Sequence, residues 1–138
     1  MANDIIKGMG FHHLSLYASD FDKSLAFYQK LGMSVYTAWG EGDSRIALLD
    51  TGDGTLLELF AKPGMSVPAE GRFQHLALHV ENVEAALNTA LAAGATLQMP
   101  VTVMDLDSHP RKITIQIAFV QGPDGEVLEF IKQLIKKL

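Results

Sequence analysis

The chain states one pattern twice. Phe11-His12-His13-Leu14-Ser15-Leu16-Tyr17-Ala18 is echoed by Phe73-Gln74-His75-Leu76-Ala77-Leu78-His79-Val80, with His75 lying 62 positions after His13 (75 − 13). Further on, Asp53-Gly54-Thr55-Leu56-Leu57-Glu58-Leu59-Phe60 is echoed by Asp124-Gly125-Glu126-Val127-Leu128-Glu129-Phe130-Ile131, with Glu129 lying 71 positions after Glu58 (129 − 58). The second copy is therefore nine residues longer between its two signatures (71 − 62). Self-similarity at this scale implies a duplicated structural unit, and a chain built that way must fold each copy into the same frame. Each copy has one histidine near its start and one glutamate near its end.

The first copy begins with a strand from about Phe11 to Tyr17, in which apolar residues alternate with others. Ser19 or Asp20 can cap a helix whose apolar residues Phe21, Leu25, Tyr28 and Leu31 share one face, and Gly32 ends it. Strands follow at about Ser34–Trp39, Ser44–Asp50 and Thr55–Phe60, with glycine-rich turns between them. Lys62 to Gly71, with Pro63, Gly64, Pro68 and Gly71, reads as a linker. The second copy repeats the order. A strand at about Phe73–Val80 leads to Asn82, which caps a helix carrying Val83, Ala86, Leu87, Ala90 and Leu91 before Gly94. Strands are expected at about Thr96–Met104, Ile113–Val120 and Glu126–Ile131, with Asp105–Lys112 as the insertion.

The fold class is α+β: two βαβββ modules, at about 10–61 and 73–132, joined by the linker at about 62–72. Together they make a single domain over 1–138, a length suited to one core. An alternating doubly wound fold would need a helix after every strand.

Strand parity sorts the faces. His13 shares a face with Phe11, Ser15 and Tyr17, and His75 shares one with Phe73, Ala77 and His79. The opposite faces are more apolar and suit the helices. Glu58 and Glu129 lie inside apolar runs, where a carboxylate needs a partner. Two imidazoles and two carboxylates converging on a divalent cation would supply it. That donor set suits Zn, Ni, Co, Mn or Fe, and without thiolates it is not a structural zinc knuckle. His12 falls on the other parity or at the strand mouth and is not expected to be a ligand.

Composition removes other classes. The formal net charge of −5 offers no basic stripe for nucleic acid, and Lys132, Lys136 and Lys137 read as a solubilising tail. With no cysteine there is no disulfide or thiolate chemistry. No apolar run is long enough to span a bilayer and no signal peptide is visible, so a cytoplasmic protein without membrane partners is the expectation.

At His13-Leu14-Ser15-Leu16, Asp20, Phe27-Tyr28, Leu31-Gly32, Leu57-Glu58-Leu59-Phe60, His75 to Val80, Gly122-Pro123-Asp124-Gly125 and Leu128-Glu129-Phe130, the chain resembles the vicinal oxygen chelate superfamily. That superfamily includes glyoxalase I, bleomycin-resistance proteins and extradiol dioxygenases. The resemblance implies a cupped mixed sheet around a metal site, and a homodimer for a chain of this size. It also implies that His13, Glu58, His75 and Glu129 are the metal ligands of a glyoxalase I-like lyase or isomerase, with Glu129 or Glu58 moving the proton through an enediolate. A small molecule with an α-oxo or α-hydroxycarbonyl group is the expected partner. Tyr17 stands where glutathione-using members often carry an arginine, which counts against glutathione. Tyr17, its mate His79 and the insertion's Arg111 are the candidate substrate contacts. The alternatives are an antibiotic-binding protein and an Fe(II) dioxygenase, the second of which does not need Glu58.

Overall fold

The computed structural model describes residues 4–5, 11–66, 74–106, 108 and 112–134. They divide into two compact units, one containing residues up to Phe21 and Gly32–Met65, the other Asp22–Leu31 and Ser66–Leu138. Among the described residues no helix is long and apolar enough to cross a membrane.

The first unit is a four-stranded mixed sheet made of β1 (His13–Ala18), β2 (Ser34–Trp39), β3 (Ile46–Asp50) and β4 (Leu56–Ala61). Its order is β1-β4-β3-β2, with β1 and β4 parallel and the other neighbours antiparallel. Alternation separates its faces as the sequence predicts. Leu57 and Leu59 of β4 and Ala47 and Leu49 of β3 are buried on one side. Each buried leucine contributes about 1.5–3 kcal/mol of apolar transfer. Glu58 points to the other side, in register with Ser15 on β1 and Leu48 on β3.

The second unit repeats this sheet with β5 (Leu76–His79), β6 (Thr96–Leu106), β7 (Ile113–Gln121) and β8 (Val127–Leu134), in the order β5-β8-β7-β6. Helix α2 (Val83–Ala92) packs against β6, β7 and β8 with Val83, Leu87 and Ala90 buried. Asn82 caps it as expected, its Oδ1 accepting from the Ala85 amide at 3.0 Å. Gly94 ends it at φ 108°, a conformation open to glycine at little cost. Gly32 does the same at φ 100° after the other helix, so the stop signals repeat along with the strands.

Helix α1 (Phe21–Lys30) belongs to module one in sequence, yet from Asp22 onward it is part of the second unit. Its buried face is also turned from the expected one. Ser24, Phe27 and Tyr28 are buried with Phe21, while Leu25 and Leu31 are half-buried. The cause is polar. The Tyr28 hydroxyl donates to Glu126 Oε2 at 2.9 Å, and Ser24 reaches Asp124 at the 3.5 Å limit of a hydrogen bond. The Asp124 amide donates to the other oxygen of Glu126 at 2.8 Å. The Glu126 side chain folds back over the turn, so a Cβ on Gly122 would meet its Oε1 at 2.5 Å. Burial, then the charge of Glu126 and the bond to it, then Asp124, hold the Tyr28 hydroxyl well above the ordinary tyrosine range.

The nine extra residues of module two are not a loop. β6 has eleven residues where β2 has six, and β7 has nine where β3 has five. The connecting stretches, 40–45 and 107–112, are equal in length. Asp105 and Leu106, expected in the insertion, are paired with Thr114 and Ile113. The Thr114 hydroxyl also donates to Asp105. β6 takes up its unmatched residue through a second register shift: β2 has one and β6 two, with Pro100 inside the second. That is where an edge strand tolerates a proline. The strand start at Phe73, most of the linker beyond residue 66, and Lys136 and Lys137 lie outside the described residues.

Candidate functional site

Each sheet sets one histidine beside one glutamate. In the first unit, His13 opens β1 and Glu58 sits in mid β4, on the face away from Leu57 and Leu59. His13 Nε2 lies 3.3 Å from Glu58 Oε1. In the second unit, His75 precedes β5 and Glu129 sits in mid β8, and His75 Nε2 lies 3.3 Å from Glu129 Oε1. The carboxylates are the closed ends of these pairs, at 8% and 7% exposure, and the imidazoles are the open ends.

The spacing and donor types fit a shared ion. Adjacent ligands about 2.1 Å from one cation, at angles between octahedral and tetrahedral, lie roughly 3.0–3.4 Å apart. Both pairs have that separation, with one imidazole nitrogen and one carboxylate oxygen each. A pair supplies two donors, where such an ion takes four or more. Among the described residues, no group of three or more His, Asp or Glu side chains is gathered around one point.

The surroundings of the pairs differ. Glu58 Oε1 also accepts a hydrogen bond from the Ser15 hydroxyl at 2.7 Å. Ser15 shares the parity of His13, and that parity is the signal by which the sequence could have marked it. In the second pair Ala77 takes the position of Ser15, and Phe119 on β7 takes that of Leu48. The Phe119 ring meets His75 edge-on, with centroids 5.2 Å apart. His12 is exposed rather than turned toward a helix. Its Nδ1 lies 2.9 Å from His13 Nδ1, so one of the two nitrogens holds a hydrogen and the other accepts it. The arrangement leaves His13 Nε2 facing Glu58.

Tyr17 lies on the His13 face at 55% exposure, edge-on to Phe60 at 6.1 Å, with the Lys62 ammonium 5.8 Å from its ring centre. Register continues this row from Tyr17 to Phe60, Ile46 and Trp39. His79 is in register with Ile131 on the face of Glu129. Arg111 lies outside the described residues, and Lys112 beside it is exposed.

A sequence profile for the Glyoxalase/Bleomycin resistance protein/Dioxygenase superfamily matches residues 10–130. A protein of Vibrio cholerae serotype O1, named "Probable lactoylglutathione lyase", is 32% identical over 128 residues, covering 87% of this chain and 88% of that one. The crystal structure of the glyoxalase family protein from Enterococcus faecalis superposes with a TM-score of 0.67 at 24% identity, over 91% of this chain and 98% of that one. A glyoxalase/bleomycin resistance protein/dioxygenase from Alicyclobacillus acidocaldarius gives 0.64 at 17% identity, over 88% and 89%. At those identities the likeness is one of fold.

Proposed function

The chain belongs to the glyoxalase/bleomycin resistance protein/dioxygenase superfamily. Within it we propose a metal-dependent lyase or isomerase that moves a proton between adjacent carbons of an α-oxo or α-hydroxycarbonyl small molecule. The observation that carries the reading is the repeated pair, imidazole nitrogen to carboxylate oxygen at 3.3 Å in both units. His13, Glu58, His75 and Glu129 would hold one divalent ion (Zn, Ni, Co, Mn or Fe). The ion would offset negative charge building on the substrate oxygens. Glu129 takes the proton from one carbon and returns it to the next, the role a carboxylate near its partner imidazole can fill. Retention of Glu58 favours this chemistry over dioxygenation. The Vibrio cholerae relative's name supports the same class, although Tyr17 at the arginine position favours a thiol other than glutathione.

One pair supplies two donors, and an ion of this kind takes four to six. We propose that two copies of the chain form a homodimer that completes the site, in a cup of sheet. Sedimentation at micromolar concentration should show a dimer, and a monomer alone would rule out a shared site. The test of function is metal analysis of the purified protein combined with a lyase assay on methylglyoxal with several thiols. Stoichiometric metal and metal-dependent turnover are expected, and metal-free protein without turnover would refute the reading.

The exposed aromatic row of Tyr17 and Trp39 favours a second reading, sequestration of an aromatic antibiotic. Full ligand affinity in metal-free protein would select it. Arg111, beside Lys112 in the sequence, would hold a substrate carboxylate with its planar fork. Arg111→Ala should then raise KM for anionic substrates and leave metal content unchanged.

A further inference from the structure

The aromatic row of the first sheet is not something its frame requires. Tyr17, Phe60, Ile46 and Trp39 are register partners across β1, β4, β3 and β2, on the face of Glu58. The same rung of the second sheet is His79, Ile131, Ile117 and Thr102, with no Phe, Tyr or Trp. Tyr17 and Trp39, the chain's single tryptophan, are 55% and 47% exposed, and Phe60 and Ile46 between them are half-buried. Phe60 braces the Tyr17 ring edge-on at 6.1 Å. With strands about 4.8 Å apart, the row is about 14 Å long. At its Tyr17 end stands a cation: Lys62, one residue past β4 and on the parity of Phe60, holds its ammonium 5.8 Å from the Tyr17 ring centre. That is near the outer reach of a cation–π contact. Among the described residues no carboxylate pairs with Lys62. Its mate in module two, 71 positions on (133 − 62), is the uncharged Gln133. Glu58 lies four residues back along β4, on the other side of the row, where His13 and Ser15 engage its carboxylate.

We propose that this row binds a fused-ring aromatic anion, its rings laid across the four strands from Tyr17 toward Trp39 and its acidic group at Lys62. The inference rests on the reading of the row as an aromatic-binding face, given above, and needs no metal. A flat ligand on the row takes apolar area of two exposed rings out of water, and ring contacts add to that burial. The length of the row decides for fused rings, because a single ring meets one end of it only. The charges decide the orientation. An acid at Lys62 is attracted there and stands about 13 Å along the strand from Glu58, whereas the reverse placement sets two carboxylates side by side. An exposed ion pair of this kind adds little affinity. Its effect is to choose between anionic and neutral ligands of one shape.

The test titrates metal-free protein with anthracene-2-carboxylate and with its neutral isostere, anthracene-2-carboxamide. Binding is followed by calorimetry and by quenching of the Trp39 emission, which reports on the far end of the row. At low salt the carboxylate should bind about fivefold tighter than the amide, and added salt should shrink that ratio. Lys62→Gln should bring the carboxylate down to the amide and leave the amide unchanged. Tyr17→Ala should weaken both ligands about tenfold. Tyr17→Phe keeps the ring and should bind both as the wild type does, which separates a lost contact from a lost fold. Equal binding of the two ligands, or a carboxylate preference that survives in Lys62→Gln, overturns the assignment of an anion and leaves the aromatic reading standing. Failure of both ligands to bind, or binding undiminished in Tyr17→Ala, overturns the aromatic reading and this inference with it. A dimer that Trp39→Ala turns into a monomer in sedimentation would assign the row to a second copy of the chain, and overturns the inference as well.

Discussion

In the first sheet Glu58 stands between Ser15 and Leu48, and in the second Glu129 stands between Ala77 and Phe119. The two corners share backbone register, histidine spacing and burial. They differ in what touches the acid and the imidazole. The helices show the same division: α2 packs on strands of its own module, whereas α1 is tied through Tyr28 and Ser24 to the turn before β8. Duplication thus preserved what the backbone ladder needs and left the side-chain neighbours to diverge.

If the frames are equivalent, the repeat mates Leu57 and Leu128, both buried to within 1%, should cost alike when truncated. Each change to Ala should lose about 2–5 kcal/mol in urea unfolding, and the two should agree within about 1 kcal/mol. A loss confined to one of them would break the comparison at its core.

The corners come next. His13→Ala and His75→Ala should each weaken metal binding on the order of a hundredfold, near 2.7 kcal/mol. His12→Ala removes a neighbour of a ligand and should cost less than about tenfold. Stoichiometric metal retained by His75→Ala after dialysis would end the equivalence of the two pairs.

Tyr28→Phe probes a difference instead. It leaves buried Glu126 with one fewer donor and should cost about 1–2 kcal/mol. Because folding raises the Tyr28 pKa, its contribution is whole below the ordinary tyrosine value near 10 and declines as pH rises above it. The wild type should therefore lose stability above about pH 10 more steeply than Tyr28→Phe. Parallel alkaline profiles would remove Tyr28 as the cause. The smallest effect is at the cap: Asn82→Ala should lower the melting temperature by an amount equivalent to about 1 kcal/mol.

Alternation and glycine signals gave away most strand ends to within a residue or two, the Asn82 cap and both helix stops, while β8 runs three residues past the expected Ile131 and β5 begins only at Leu76. They also put His13, Glu58, His75 and Glu129 on the correct faces, because a period of two is local information. What escaped was non-local. Of the expected face Phe21 and Tyr28 are buried, but nothing near Tyr28 in sequence announces Glu126, so Ser24 and Phe27 were missed and Leu25 and Leu31 expected in their place. Asp105 and Leu106 looked like loop because polar residues follow, while their pairing depends on Thr114 and Ile113 across the hairpin. Ser15 shared the right parity but had no visible acid beside it until β4 lay alongside β1.

The longer arms of β6 and β7 bear on how such a chain can change length. A hairpin grows or shrinks cheaply by whole rungs, one residue from each side, because every new amide finds an opposite carbonyl. Removing one residue from one side alone turns every side chain beyond it to the wrong face, unless a bulge takes up the difference. β6 has already used that remedy at its second shift, next to Pro100. At roughly 3.3 Å per residue, the four rungs by which β7 exceeds β3 carry the tip of the paired ladder, Leu106 opposite Ile113, about 13 Å farther out. The reach of that tip is then a quantity evolution or an engineer can adjust in steps, with the two histidine–glutamate corners left where they are.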